Sequence, residues 1–189
     1  MRLYLIRHPP PAVAEGTCYG RTDLPLAGPI DALVARLRPH LPAGLPLYSS
    51  PLQRCRQLAE ALHPRPHYDP RLQEMDFGLW EQQSWSAIDR QAIDQWAADP
   101  LHFCPPRGES AAQLVQRVQG FLAELCARER SGDCILVTHA GVIKALQGLV
   151  HRLPVQAWMA LGFDYGSLTL LDVAGSPTAA GQSHECQCR

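Results

Sequence analysis

The chain begins with a short apolar segment that ends at two polar residues, and this segment limits the possible folds more than any other feature. Leu3 to Ile6 are strand-forming residues, and Arg7-His8 and three prolines follow them directly. A short apolar segment bounded by a breaker predicts a buried strand, and Pro9 favours extended geometry at His8. Taken alone, an arginine and a histidine at the end of a strand indicate only where that strand meets water.

Strand-like and helical segments alternate along the rest of the sequence. Further strands are predicted near 45–48, 67–73, 134–137 and 167–171, and helices over 30–37, 51–62, 85–96, 110–125 and 142–150. At the second helix, Ser50 is a natural N-cap and Pro51 a natural first helical residue. The alternation predicts an α/β fold, a three-layer sandwich with a mostly parallel sheet between helices.

Composition excludes several functional classes. The 189 residues include 17 basic and 18 acidic side chains, so no excess charge predicts binding to nucleic acid or to an anionic membrane. No apolar segment approaches the length of a membrane span, and we expect no signal peptide because the first strand begins at the amino terminus. Seven cysteines, an odd number, are typical of reduced thiols rather than of a disulfide framework, which predicts a cytoplasmic protein.

The length predicts one domain over residues 1–175, with an insertion at about 80–108 that carries its own small apolar face and lies over the site. Residues 176–189 are expected to form a flexible tail. The tail contains Cys186 and Cys188, which could bind a soft metal. Because their setting is polar and no second cluster completes a tetrahedral site, we favour a disordered tail over a zinc site.

Three predicted strands are followed by residues that are unusual in a core. Arg7-His8 ends the first strand, Arg54 lies just beyond the second, and His139 ends the fourth, while Glu74 opens a loop after another. In a parallel sheet the carboxyl ends of the strands share one edge, where ligands bind. Arg54 is either an exposed arginine or part of an anion site, because it lies at a helix amino terminus. Together these five residues describe a phosphate site.

A long loop is predicted from Ala12 to Leu26, because the segment has several turn residues and no helical period. A loop of this length in a compact domain is usually functional or disordered. It contains Arg21 and Thr22, whose polar groups could line a pocket. We therefore take these two residues as candidates for substrate binding.

Six motifs, over roughly residues 2–150, resemble those of the histidine phosphatase superfamily, which has the phosphoglycerate mutase-like fold. They are Leu5-Ile6-Arg7-His8, Gly20-Arg-Thr-Asp23, Ser49-Ser-Pro-Leu-Gln-Arg54, Glu74-Met-Asp-Phe-Gly78, Gly108-Glu-Ser110 and Val137-Thr-His-Ala-Gly141. Each motif alone is weak. All six in the order of the family are a specific signal.

The resemblance implies a mechanism for the five residues. His8 would take the phosphoryl group on a ring nitrogen to form a phosphohistidine. Arg7, Arg54 and His139 would bind the phosphoryl oxygens and stabilise the charge of the transition state. Glu74 would protonate the leaving alcohol and then activate water. Because cationic side chains supply the charge, the resemblance implies no metal and no other cofactor.

Pro9 departs from the pattern of the family, in which a glycine follows the nucleophile. Proline has no N–H, so any amide contact from position 9 to a phosphate is lost. A phosphate-binding module inactivated by this change is therefore the alternative outside the enzymes. Retention of both His8 and Glu74 argues against that alternative.

The substrate is less determined than the chemistry. Residues 16–26 and 74–81 look most like those of the alpha-ribazole phosphatases of cobalamin assembly, which makes alpha-ribazole 5'-phosphate a candidate substrate. Broad-specificity phosphatase, phosphohistidine-protein phosphatase and phosphoglycerate mutase-type activities remain alternatives, since substrate choice depends on variable loops. We expect the partner to be a small-molecule phosphate, not nucleic acid or a membrane, and leave a homodimer open.

Overall fold

The computed structural model describes residues 1–129 and 132–173. The predicted tail at 176–189, with Cys186 and Cys188, lies outside the described residues. None of the helices in the described part of the chain is long and apolar enough to cross a bilayer.

The described residues contain a five-stranded sheet with the strand order β3-β2-β4-β1-β5. Its strands are Arg2–Arg7 (β1), Leu47–Ser49 (β2), His67–Tyr68 (β3), Cys134–Thr138 (β4) and Leu168–Asp172 (β5). The first four strands are parallel, and β5 runs antiparallel to β1. The prediction of a mostly parallel α/β sheet is therefore confirmed.

Six α-helices connect or flank the strands in the described ranges. They are Asp31–Leu37 (α1), Gln53–Leu62 (α2), Arg90–Ala98 (α3), Ala111–Arg128 (α4), Ala140–His151 (α5) and Val155–Met159 (α6). A capping box opens α4, in which Ser110 bonds the amide of Gln113 and Gln113 bonds back to Ser110. α2 begins later than predicted: its N-cap is Leu52, and Asp23 accepts the Gln53 N–H at 2.7 Å.

Alternating side chains of β1 pack against helices on both faces of the sheet. Leu3 and Leu5 join an apolar cluster with residues of α4 and α5, and Tyr4 and Ile6 join another with residues of α1 and α2. This arrangement forms the three predicted layers. Each fully buried leucine or isoleucine side chain contributes about 1.5–3 kcal/mol to the free energy of folding.

The segment between Phe77 and Phe103 has an aromatic cluster of its own. Trp85 and Trp96 stack with ring centroids 5.7 Å apart, and Trp80 stacks on Phe103 at 5.6 Å. Cys18 of the long loop is buried in this cluster, and its N–H donates to the Gln83 carbonyl at 2.8 Å. The insertion therefore holds the 12–26 loop in place.

Candidate active site

His8 lies at the carboxyl end of β1 and is only 1% exposed. Its Nδ1 is 2.6 Å from the carbonyl oxygen of Pro9. Because a carbonyl only accepts hydrogen bonds, Nδ1 carries the proton and Nε2 keeps its lone pair. Burial, with the charges of Arg54 and Arg7, lowers the pKa of His8 from 6.5 to about 3. The ring is therefore neutral at pH 7 and has a free nucleophilic nitrogen.

His139 is brought beside His8 by the register of the sheet. Arg7 pairs with Thr138 across β1 and β4, so the next residue of each strand emerges at the same edge. The centroids of the two imidazole rings are 4.9 Å apart. Burial, with the charges of His8 and nearby arginines, holds the pKa of His139 well below its ordinary value. Two neutral imidazoles therefore lie side by side.

Ser50 contacts His139 and does not act as the N-cap that its sequence position predicts. Its Oγ lies 2.8 Å from Nε2 of His139 and also accepts the Leu52 N–H at 3.3 Å. The Cys55 sulfur is 3.4 Å from the same nitrogen. Ser50 and Cys55 therefore fix the orientation of the His139 ring.

Arg54 lies in the first turn of α2 and is 0% exposed, which rules out the exposed arginine that its position also allowed. Its two Nη groups donate to the carbonyls of Thr22 at 2.7 Å and Gly20 at 2.5 Å. Its Nε is buried and has no hydrogen-bond partner in the structure. The guanidinium is thus oriented by neutral carbonyls, and three of its five N–H donors have no partner among the described residues.

Arg7 is held in a similar way. Its Nη1 donates to the carbonyl of Phe163 at 2.5 Å, and its guanidinium carbon lies 3.8 Å from the centroid of the Tyr165 ring. Its Nε is also buried without a hydrogen-bond partner. Within the described residues, neither Arg7 nor Arg54 forms an ion pair. Two cations without carboxylate partners are suited to bind an anion.

Glu74 lies at the amino terminus of α5, the helix that His139 caps. Its carboxylate accepts N–H bonds from Met75 at 3.0 Å and from Gly141 at 3.1 Å. A Cβ atom at position 141 would overlap this carboxylate and displace it, so Gly141 permits the close approach. The helix dipole favours an anion here, and the carboxylate still has lone pairs for a substrate.

Arg21 and Thr22 contact carboxylates. The Arg21 guanidinium pairs with Asp76 at 3.5 Å and Glu109 at 3.2 Å. Glu81 accepts the N–H groups of both residues and the Thr22 hydroxyl. Burial opposes ionisation of Glu81, but these bonds outweigh it and hold its pKa below the ordinary value. The substrate-binding role of Arg21 and Thr22 stays a prediction.

Unlike Asp76 and Glu109, Glu74 forms no ion pair among the described residues. Asp76 accepts the Gly78 N–H at 2.8 Å and the Arg21 contact. Glu109 pairs with Arg117 at 2.6 Å. These carboxylates are used in holding the loops together, so Glu74 is the strongest candidate for a general acid.

A cavity of about 400 Å³ is bounded by Tyr165, whose ring also lies against His8. Its lining includes Pro10, Val13, Tyr19, Trp85 and Tyr165, and Glu15 is its only charged lining residue in the described chain. The Tyr165 ring is 5.5 Å from the His8 ring, and the hydroxyls of Tyr19 and Tyr165 hydrogen-bond each other. Tyr165 therefore links the cavity to His8.

Sequence reasoning missed Tyr19, Tyr165 and the contact of Ser50 with His139. Tyr165 reaches the site because β5 is antiparallel, so the chain approaches that strand from the site edge. No local pattern near Tyr165 signals the direction of the strand that follows it. Across residues 1–129 and 132–173, no group of three or more His, Cys, Asp or Glu side chains is placed to hold a metal ion.

A family model described as "Histidine phosphatase superfamily (branch 1)" matches residues 3–181. The adenosylcobalamin/alpha-ribazole phosphatase of Salmonella typhimurium is 28% identical over 185 residues, which cover 92% of this chain and 91% of that protein. The chain spans about half the length of several other curated relatives that it matches.

Solved structures show the same fold. The phosphoglycerate mutase of Thermus thermophilus superposes with a TM-score of 0.71 at 34% identity, over 91% of this chain and 93% of that one. The mycobacterial glucosyl-3-phosphoglycerate phosphatase superposes with a TM-score of 0.78 at 27% identity, over 89% and 88% of the two chains.

Proposed function

The chain belongs to the histidine phosphatase superfamily, and from this premise we propose that it hydrolyses a small-molecule phosphomonoester through a phosphohistidine on His8. The observation that carries the proposal is the setting of His8. A neutral imidazole with a free Nε2 lies near two arginines whose buried Nε groups have no hydrogen-bond partner in the described structure. This arrangement suits the attack of a nitrogen on a phosphoryl group whose oxygens are held by cations.

In the first step, Nε2 of His8 attacks phosphorus, and the bond from phosphorus to the leaving oxygen breaks. Arg7, Arg54 and His139 bind the other phosphoryl oxygens and stabilise the charge that they carry in the transition state. Glu74 gives its proton to the leaving alcohol. The Nδ1–H bond to the Pro9 carbonyl supports the positive charge that develops on the ring.

In the second step, water attacks the phosphohistidine and Glu74, now ionised, accepts a proton from that water. The P–N bond breaks, inorganic phosphate leaves and His8 returns to its neutral form. The same carboxylate therefore acts first as acid and then as base.

Pro9 preserves the contact that orients the nucleophile. The carbonyl of Pro9, and not its nitrogen, accepts the proton of His8 Nδ1. Loss of an N–H at position 9 leaves that bond unchanged. This geometry favours an active enzyme over a phosphate-binding module.

The cavity favours a leaving group that is apolar or aromatic and carries no second acid group. Its lining is rich in prolines and aromatic rings, and Glu15 would repel a carboxylate or a second phosphate. Alpha-ribazole 5'-phosphate has an aromatic base and one phosphate, whereas 3-phosphoglycerate has a carboxylate. We therefore favour alpha-ribazole 5'-phosphate over phosphoglycerate, with broad specificity as the second candidate.

The cytoplasm is the compartment that we propose. The five cysteines in the described part of the chain are all free thiols. Free buried thiols are typical of a reducing compartment.

The test is phosphate release measured over a panel of alpha-ribazole 5'-phosphate, p-nitrophenyl phosphate and 3-phosphoglycerate. We expect kcat/KM to be highest for alpha-ribazole 5'-phosphate and lowest for 3-phosphoglycerate. Rapid quench with a labelled substrate should trap acid-labile phosphate on the protein. Absence of both turnover and labelling would refute the hydrolase proposal, while equal kcat/KM values would favour broad specificity.

A cavity variant sharpens the choice of substrate. Val13→Lys adds a cation to the lining and should raise kcat/KM for 3-phosphoglycerate relative to alpha-ribazole 5'-phosphate. Ala12→Lys is the matched control, because Ala12 is exposed but is not part of the lining. The same gain from both variants would point to a general charge effect instead of a cavity effect.

A further inference from the structure

We infer that Arg117, on α4, is a positioning residue for the general acid Glu74. The inference rests on the proposed function, in which Glu74 is the general acid. Arg117 lies outside the six motifs that identify the family. Its side chain is 15% exposed and points at the loop that carries Glu74.

All five N–H donors of the Arg117 guanidinium are used. Nη1 donates to the carbonyls of Arg71 at 2.6 Å and Gln73 at 2.7 Å. Nη2 donates to the carbonyl of Glu74 itself at 3.0 Å and to Glu109 at 2.6 Å, and Nε donates to the other oxygen of Glu109 at 3.1 Å. One side chain therefore binds three carbonyls of a four-residue segment.

The loop needs this support because residues 73–77 contain neither helix nor strand. No other N–H in the described part of the chain bonds the carbonyls of Arg71, Gln73 or Glu74. Glu109, which orients the guanidinium, also accepts the Asp76 N–H at 3.0 Å. Arg117 and Glu109 thus hold the loop on both sides of Glu74.

The position of the acid controls proton transfer to the leaving oxygen. A general acid works only within hydrogen-bond reach of the atom that it protonates, and a displacement of about 1 Å can cost about 100-fold in rate. The flat fork of a guanidinium can bind several carbonyls at once, which the point charge of a lysine cannot do. Arg117→Lys should therefore keep the charge and lose the geometry.

The experiment is a single-turnover measurement of the phosphorylation step with an alkyl phosphate and with p-nitrophenyl phosphate. The alkyl alcohol needs a proton to leave, whereas p-nitrophenolate leaves unaided. Arg117→Lys should slow the alkyl substrate by about 10–100-fold and p-nitrophenyl phosphate by less than about threefold. Equal slowing of both substrates would overturn the positioning role.

The matched control is Arg71→Lys. Arg71 lies just before the loop, and its carbonyl is also bound by Arg117, but its side chain pairs with Asp69 and Glu124. Arg71→Lys should leave the ratio of the phosphorylation rates of the alkyl phosphate and p-nitrophenyl phosphate at its wild-type value. A shift of the ratio in Arg71→Lys as large as in Arg117→Lys would show that any loosening of the loop suffices, which would contradict a specific role for Arg117.

A double variant separates this inference from the proposed function. Glu74→Gln alone should slow the alkyl substrate selectively, and adding Arg117→Lys should then change the ratio no further. If Glu74→Gln shows no leaving-group contrast, the acid assignment fails. If Glu74→Gln shows the contrast and Arg117→Lys does not, only the positioning inference fails.

Glu109→Gln tests the inference independently if Arg117→Lys does not fold. This variant weakens the contact that orients Arg117, but it leaves the arginine itself unchanged. It should shift the rate ratio in the same direction by a smaller factor. An unchanged ratio in a folded Glu109→Gln protein would also contradict the inference.

Discussion

Two pairs of arginines lie in the polar region of this protein and are held by different partners. Arg7 and Arg54 are held by backbone carbonyls and by the rings of Tyr165 and Tyr19, and the described structure places no carboxylate in an ion pair with either. Arg21 and Arg117 form ion pairs with carboxylates, with Glu109 shared between them, and Arg117 also donates to three carbonyls. A carbonyl dipole orients a guanidinium without neutralising it, whereas a carboxylate does both.

The difference separates residues that bind a ligand from residues that hold the loops. The first pair keeps its charge and its buried Nε groups for a phosphoryl group. The guanidinium groups of the second pair hold the loops that carry Gly20 and Glu74, through Asp76 and Glu109 for Arg21 and through the Glu74 carbonyl and Glu109 for Arg117. An uncompensated buried cation destabilises the free protein, so the binding of an anion should stabilise the first pair.

The largest effect is expected at the residue that lies near the first pair. His8→Asn removes the nucleophilic nitrogen and should reduce turnover to background, because no phosphohistidine can form. Rapid quench with a labelled phosphomonoester should give no protein-bound phosphate. The variant should still fold, as judged by its circular dichroism spectrum. Labelling that persists in His8→Asn would assign the nucleophile to another residue.

The next effect compares one arginine from each pair. Arg54→Gln should lower kcat/KM by about 10²–10³-fold, as expected for the loss of one charge-stabilising donor. Arg21→Gln, at a side chain that is 35% exposed, should lower Tm and change kcat/KM by only a few-fold. Steady-state kinetics and thermal unfolding measure both effects.

This pair of variants also tests the substrate-binding role predicted for Arg21. Equal losses of kcat/KM in the two variants would mean that Arg21 contacts substrate and that its carboxylate partners do not define its role. Inorganic phosphate should raise the Tm of the wild type and of Arg21→Gln, and should raise that of Arg54→Gln less.

A smaller effect concerns stability in acid. His8 has a pKa of about 3 in the folded protein and 6.5 when unfolded. The unfolded chain therefore binds more protons between these values, and stability falls as pH falls through that window. Between pH 7 and pH 5 the wild type should lose about 2 kcal/mol more than His8→Asn. Urea unfolding at the two pH values measures the difference, and equal losses would contradict a buried neutral His8.

The smallest effect is expected from removal of metal. Because Arg7 and Arg54 supply the positive charge, EDTA should leave the rate unchanged within error. The control is the same assay after dialysis with added zinc or magnesium. A loss of activity in EDTA that either metal restores would show that the charge of the first pair of arginines is not sufficient.

Most of the fold could be predicted because its signals are local. The apolar residues of β1 and β4, the 3–4 period of α4 and the capping box at Ser110 depend only on near neighbours in sequence. The helix α6 and the late start of α2 at Gln53 were not predicted. The start of α2 depends on Asp23, a residue of a distant loop that accepts the Gln53 N–H.

The candidate site shows the same division. The sequence places Arg7, His8 and His139 at the carboxyl ends of strands. Because parallel strands end at a common edge, it also places them on the same side of the sheet. The pairing of His8 with His139 needs in addition the register that sets Arg7 opposite Thr138. The contact between Ser50 and His139 depends on the same sheet, across β2 and β4.

The sequence by itself determined which chemical groups reach the site edge, since strand ends and residue types are read locally. Only the tertiary structure decided which partner each charged group has. Arg54 meets two carbonyls, whereas Arg21, in the neighbouring loop, meets carboxylates from segments more than 50 residues away. A guanidinium can donate to a carbonyl or to a carboxylate, and its neighbours in sequence do not decide between them. The choice therefore depends on how distant loops pack.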